Sequence, residues 1–107
     1  MSEISVTRHD DGRAFEASRK DVIVLRLEEN LTTGYGWEAD AGDGSVVELI
    51  ESEYIEASGK EIGRGGMRVL RFVAKSPGSQ DIRLKLRRPW DSPDKALQQM
   101  VVKIQVR

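Results

Sequence analysis

The chain has 107 residues, room for one domain, since about 100–150 residues is the commonest domain size. Its 38% hydrophobic and 33% charged residues are those of an ordinary globular protein, which excludes a disordered tail. Seventeen basic against eighteen acidic side chains leave a formal charge of -1, so no global field draws in nucleic acid or an anionic membrane; the lack of cysteine excludes disulfides, thiolate metal sites and a cysteine nucleophile.

The opening residues, MSEISVTRHD, carry neither a cationic leader nor an apolar stretch, so no signal peptide is visible. No apolar run approaches the roughly 20 residues needed to span a bilayer. A soluble protein is expected, cytoplasmic or, with a leader removed, periplasmic or secreted.

Taken in chain order, the hydrophobic pattern has a period of two almost throughout. Ile4 and Val6 alternate with Ser5 and Thr7, which predicts a strand from Ile4 to Thr7. A second runs from Val22 to Glu28, where Ile23, Leu25 and Leu27 alternate with Val24, Arg26 and Glu28. Further strands are expected from Tyr35 to Asp40, Val46 to Ile55, Met67 to Lys75, Asp81 to Arg87 and Met100 to Val106. Ser92 to Met100 has a polar start, with Pro93 suited to a first helical position, yet it reads better as a loop entering a strand. About seven to eight short strands separated by Gly, Pro, Ser and Asp clusters, without crossover helices, predict an all-β, immunoglobulin-like antiparallel β-sandwich. One domain covering residues 1–107 is expected.

If successive strands run up and down, their connections fall into two sets. Ala41-Gly42-Asp43-Gly44-Ser45 and Ser76-Pro77-Gly78-Ser79-Gln80 are plain polar turns at one end. The other end receives the loop before Tyr35, the stretch from Glu56 to Gly66 and the stretch from Arg88 to Gln99.

These three loops hold the unusual residues. Thr32 and Thr33 offer hydroxyls at a loop apex, Gly34 permits a sharp turn, and Asn30 can brace the backbone. Tyr35 and Trp37 read as anchors in the core. Gly63, Gly65 and Gly66 either relieve a tight turn or let another backbone approach. Trp90 follows the rigid Pro89 and neighbours Arg88, the composition of an exposed binding hot spot, unless it folds back over the core.

Catalysis finds little support. His9, the only histidine, has no nucleophile or second ligand near it in sequence. Asp10 with Asp11 and Glu51 with Glu53 read as solvated charges, and no metal-binding or phosphate-binding spacing appears. No cofactor is expected.

Asn30-Leu31-Thr32-Thr33-Gly34-Tyr35, Gly63-Arg64-Gly65-Gly66 and Arg88-Pro89-Trp90 together resemble the three loop motifs of the chagasin family, N-P-T-T-G-Y or -F, G-x-G-G and R-P-W or -F. The resemblance covers the whole chain in strand and loop order. It implies an immunoglobulin-like sandwich that reversibly inhibits papain-like cysteine proteases; a monomer with no nucleic acid or membrane partner is expected. By that resemblance, the loop with Thr32 and Thr33 enters the catalytic cleft. The loops with Gly65-Gly66 and with Arg88-Trp90 embrace its sides.

Leu31 departs from the pattern, standing where the family has proline. It either gives up some stiffness or adds an apolar contact, and it bears on affinity and target range. It also completes the sequon Asn30-Leu31-Thr32, where a glycan would obstruct the loop in a eukaryotic secretory pathway. Two other readings compete: an immunoglobulin-like interaction or adhesion module without protease inhibition, and a nucleic-acid binder using Arg83, Lys85, Arg87, Arg88 and Lys95. Arg83, Lys85 and Arg87 alternate along one strand face and are most simply solvated.

Overall fold

A computed structural model describes residues 2–56 and 65–107. Within them the chain forms strands β1 (Glu3–Thr7), β2 (Ala14–Ala17), β3 (Val22–Glu29), β4 (Gly36–Asp40), β5 (Val47–Glu56), β6 (Gly66–Ala74), β7 (Gly78–Arg87) and β8 (Gln98–Val106). The first sheet has the order β1-β3-β6-β5 and the second β2-β8-β7-β4.

The period-two pattern does its work between them. Ile23, Leu25 and Leu27 of β3 and Leu70 and Phe72 of β6 face Ile82, Leu84 and Leu86 of β7 and Met100, Val102, Ile104 and Val106 of β8 in one core. Each fully buried side chain of this kind contributes about 1.5–3 kcal/mol against remaining in water. Trp37, on β4, is buried in the same core and donates its indole N–H to the Glu28 carbonyl at 2.9 Å. Its reading as an anchor is correct. Tyr35 is half-buried and packs against the core from outside β4.

The sandwich differs from expectation at its edges. Four strand pairs are antiparallel, but β1 runs parallel to β3 and β2 parallel to β8. The chain leaves the first sheet after β1, turns through a 3₁₀ segment at Arg8–Asp10, and joins the second sheet as β2. β2 was not anticipated, because four residues, Ala-Phe-Glu-Ala, are too few to register a period. β7 starts at Gly78 and not at Asp81, since Gly78 to Gln80 already pair with β8. The segment read as a loop entering a strand is that: a 3₁₀ turn at Pro93–Lys95, then β8.

Candidate functional site

The alternation that buries β3 reaches one residue further than its last leucine. Ile23, Leu25, Leu27 and then Glu29 point inward, so a carboxylate lies where an apolar side chain would be expected. The Glu29 side chain is 0% exposed. One oxygen accepts the backbone N–H of Trp37 at 2.7 Å, and the other accepts Nε and Nη2 of Arg68 at 3.1 and 2.8 Å. An uncompensated buried charge would cost several kcal/mol, so these partners are obligatory. The same contacts join the last residue of β3 to the second residue of β4, closing the loop between them at its root.

Within that loop the backbone is tightly self-braced. Leu31–Thr33 form a 3₁₀ turn capped by Asn30, whose Oδ1 accepts the Thr32 N–H at 3.0 Å and the Thr32 hydroxyl at 2.7 Å. The Thr33 hydroxyl donates to the Asn30 carbonyl at 2.7 Å and accepts the Tyr35 N–H at 3.2 Å. Gly34 closes the turn at φ 82°, the left-handed region that a residue with a Cβ enters at a cost. The two threonines are exposed as expected, but both hydroxyl protons are used inside the loop.

The third loop leans on the first. Asp91 donates its N–H to the Arg88 carbonyl at 3.0 Å, closing a turn with Pro89 and Trp90 at its centre. Arg88 donates Nε to Asp91 at 3.0 Å, a bond that raises the guanidinium pKa further, and its Cζ lies 4.8 Å from the Tyr35 ring centre and 5.7 Å from that of Trp90. A Cβ on Gly34 would stand 2.8 Å from Cη2 of Trp90, so the indole rests on the glycine. Trp90 is nonetheless 71% exposed, which decides between the hot-spot and core readings in favour of exposure. Further along, the Ser92 hydroxyl holds the Asp94 carboxyl below its ordinary pKa.

Of the second loop, residues 57–64 lie outside the described residues, Gly63 and Arg64 among them. Gly65 and Gly66 are described, and neither has a positive φ. A Cβ at Gly66 would fall 2.3 Å from the Ile55 carbonyl oxygen and 2.7 Å from the Tyr54 hydroxyl. The close approach that glycine permits there is made by the chain's own β5. Thr33, Tyr35, Ile55, Gly65, Met67 and Leu97 line a groove of about 730 Å³, which brings all three connections to one end of the sandwich, as the up-and-down argument required.

A model of the Chagasin family peptidase inhibitor I42 matches residues 16–104. The chain belongs to this family. Its members are inhibitors of peptidases and not enzymes, which sets aside the adhesion-module reading. Chagasin of Trypanosoma cruzi is 25% identical over 92 residues, covering 82% of this chain and 84% of that protein. The cysteine protease inhibitor EhICP2 from Entamoeba histolytica superposes with a TM-score of 0.90 at 20% identity, over 99% of this chain and 96% of that one. PbICP-C in complex with falcipain-2 has a TM-score of 0.67 at 14% identity, over 98% and 89% of the two chains.

For this family member, what sequence reasoning missed was the support under the loops. Glu29 and Arg68 were not singled out, although a charged residue continuing an inward register was a usable signal. Arg68 shares that inward face, since it pairs with Leu27. The outer face of β7 carries both signs: Arg87 donates to Glu38 at 2.6 Å, and Asp40 pairs in register with Arg83. Among the described residues no cluster of three or more His, Asp or Glu is placed to hold a metal ion, and no helix is long and apolar enough to cross a membrane.

Proposed function

We propose that this protein, as a single inhibitor domain over residues 1–107, reversibly blocks papain-like cysteine proteases by filling the catalytic cleft with the loop from Asn30 to Tyr35. The loops of Gly63-Arg64-Gly65-Gly66 and Arg88-Pro89-Trp90 flank the cleft on either side. Family membership and the complex of a structural neighbour with falcipain-2, a papain-like cysteine protease, support the enzyme class. The observation that carries the reading is Trp90, exposed at the loop end yet resting on Gly34 and on Arg88, whose guanidinium also lies over Tyr35. A large aromatic fixed in advance buries area at small entropic cost.

The loop also explains how such an inhibitor escapes cleavage. Papain-like enzymes attack a carbonyl in an extended peptide with a thiolate activated by histidine. Here the carbonyls of Asn30 and Leu31 accept the N–H groups of Thr33 and Gly34 at 3.2 Å each, so they are turned into the 3₁₀ segment and away from an extended pose. The wedge occupies the cleft without offering a peptide bond in attack geometry. A standard interface of about 1,600 Å² is sufficient for tight binding when the surface is pre-organised. A chain without cysteine suits a reducing cytoplasm as well as an oxidising periplasm or exterior.

Titration of papain with the protein, followed by hydrolysis of a peptide substrate, tests the reading. Stoichiometric loss of activity that recovers on dilution is expected, and full activity at micromolar inhibitor would refute it. Thr32→Ala combined with Thr33→Ala removes the hydroxyl bonds that brace the loop, and is expected to weaken inhibition with a modest fall in thermal midpoint.

A further inference from the structure

The Glu29–Arg68 pair does more than satisfy a buried charge, because its contacts reach the roots of two loops at once. On the first loop, Glu29 immediately precedes Asn30, and its carboxylate holds the N–H of Trp37, immediately after Gly36. A Cβ on Gly36 would lie 3.5 Å from that same carboxylate, so the return strand passes close over it. At the second loop, Arg68 stands two residues into β6 and donates Nη1 to Ser52 of β5 at 3.2 Å. Its guanidinium carbon also lies 5.7 Å from the ring centre of Tyr54, whose hydroxyl covers Gly66.

A buried ion pair is a poor way to gain stability, since an apolar pair of similar volume usually serves as well or better. Its distinctive property is direction: a carboxylate with both oxygens engaged and a guanidinium fork fix angles that apolar contacts leave free. Among the described residues no buried side-chain nitrogen or oxygen lacks a partner, so the network is complete.

We propose that Glu29 and Arg68 are positioning residues that set the spacing between the cleft-filling loop and the Gly65-Gly66 loop, so that inhibitory strength depends on a pair buried beneath the contact surface. This rests on the cleft-blocking function above. Neither side chain belongs to the three loop motifs, and Glu29 is fully enclosed.

The decisive variant replaces the pair with apolar groups, Glu29→Leu with Arg68→Met, measured for papain inhibition, thermal midpoint and amide hydrogen exchange. The expected result is a folded protein whose midpoint falls modestly, because the buried Trp37 N–H loses its acceptor, and a Ki raised about tenfold. The amides of residues 31–37 and 65–66 exchange faster, while those of Gly42, Ser45 and Lys75 at the far end do not change. An unchanged Ki in the folded variant overturns the proposal, as does faster exchange spread evenly over the molecule. Should the double variant not fold, Glu29→Gln is read in its place. It keeps an acceptor for Trp37 and loses the charge held by Arg68, and a Ki unchanged there is equally fatal. Exchange needs no protease, so a parent protein that fails to inhibit papain removes the cleft-blocking function while the loop-spacing claim is still decided.

Discussion

The two ends of this sandwich are built with the same devices and put to opposite uses. At the far end, Asp40 accepts the Gly42 N–H and Asp43 accepts the Ser45 N–H, each at 2.9 Å, and Lys75 donates its N–H to the Val46 carbonyl at 2.8 Å. The loop end likewise uses Asn30 and Thr33 to satisfy backbone groups, the Arg88–Asp91 ion pair to brace the third loop, and a left-handed glycine to close its turn. What differs is the cargo. In the two far-end turns only small and polar residues stand outside, Leu49 and Ile50 lying exposed further along β5, whereas at the loop end the braces themselves hold Leu31 and Trp90 in water. Exposed apolar side chains on an ordered backbone mark a surface awaiting a partner. Bracing alone marks nothing.

The largest break in this comparison is expected from Trp90→Ala. A hot-spot aromatic lost from the contact costs about 2 kcal/mol or more, roughly thirtyfold in Ki. Because the side chain is mostly exposed, the thermal midpoint is expected to stay near the parent's. A large fall in midpoint, measured by calorimetry, would assign the residue to the structure of the loop end and not to its partner.

A matched pair of glycine substitutions sharpens the contrast next. Gly34 and Gly42 have nearly the same backbone, φ 82° and 72°, and a Cβ on either would meet a side-chain atom at 2.8 Å. Alanine at either site carries about 1–2 kcal/mol of left-handed strain, so the two variants are expected to lose similar stability. Only Gly34→Ala pushes against Trp90; Gly42→Ala meets the end of Gln80, which can swing aside. Papain titration is therefore expected to show about tenfold weaker inhibition for Gly34→Ala and none of that loss for Gly42→Ala. Equal losses would mean that global stability, and not the placement of Trp90, governs inhibition.

The sequence was readable wherever structure is local. Period-two alternation marked the β3, β7 and β8 inner faces, and the glycine and proline clusters marked the turns. The three loops stood out because their residues are wrong for plain hairpins, and the up-and-down rule was enough to bring them together. What was not readable depends on distant partners. Parallel pairing of β1 and β2 is decided by which sheet edge is vacant, and a four-residue strand carries no period of its own. The role of Gly66 is set by Tyr54 and Ile55 across the β5–β6 pair. Whether Trp90 faced core or water turned on the Arg88–Asp91 turn and on Gly34 beneath the indole. Glu29 is the intermediate case: its inward register announced a buried charge, but not that Arg68 would answer it.

The smallest effect belongs to the far end, and it is one of pH. Asp21 accepts the N–H groups of Ser18 and Ser2 at 2.8 Å each, and these bonds, that from Ser18 foremost, hold its carboxyl below the ordinary value of 3.8. It also anchors the strand ends there: the Ala74 N–H donates to the Asp21 carbonyl at 2.9 Å, and the Lys20 N–H to the Ala74 carbonyl at 2.7 Å. A carboxyl whose pKa is lower folded than unfolded stabilises the fold above the unfolded value, and that contribution disappears as pH falls through the folded one. Asp21→Asn removes the titration and keeps an oxygen for one donor while its NH2 faces the other, since Ser18 and Ser2 bond different oxygens. The midpoints of parent and variant, measured from pH 7 downward, are expected to differ by a constant amount until about pH 5 and then to converge as the parent's carboxyl protonates. A gap that persists below pH 2 would mean that Asp21 acts through the shape of its turn and not through its charge. Inhibition at neutral pH is expected to be untouched by the substitution, since the residue lies at the end whose braces carry no exposed apolar cargo.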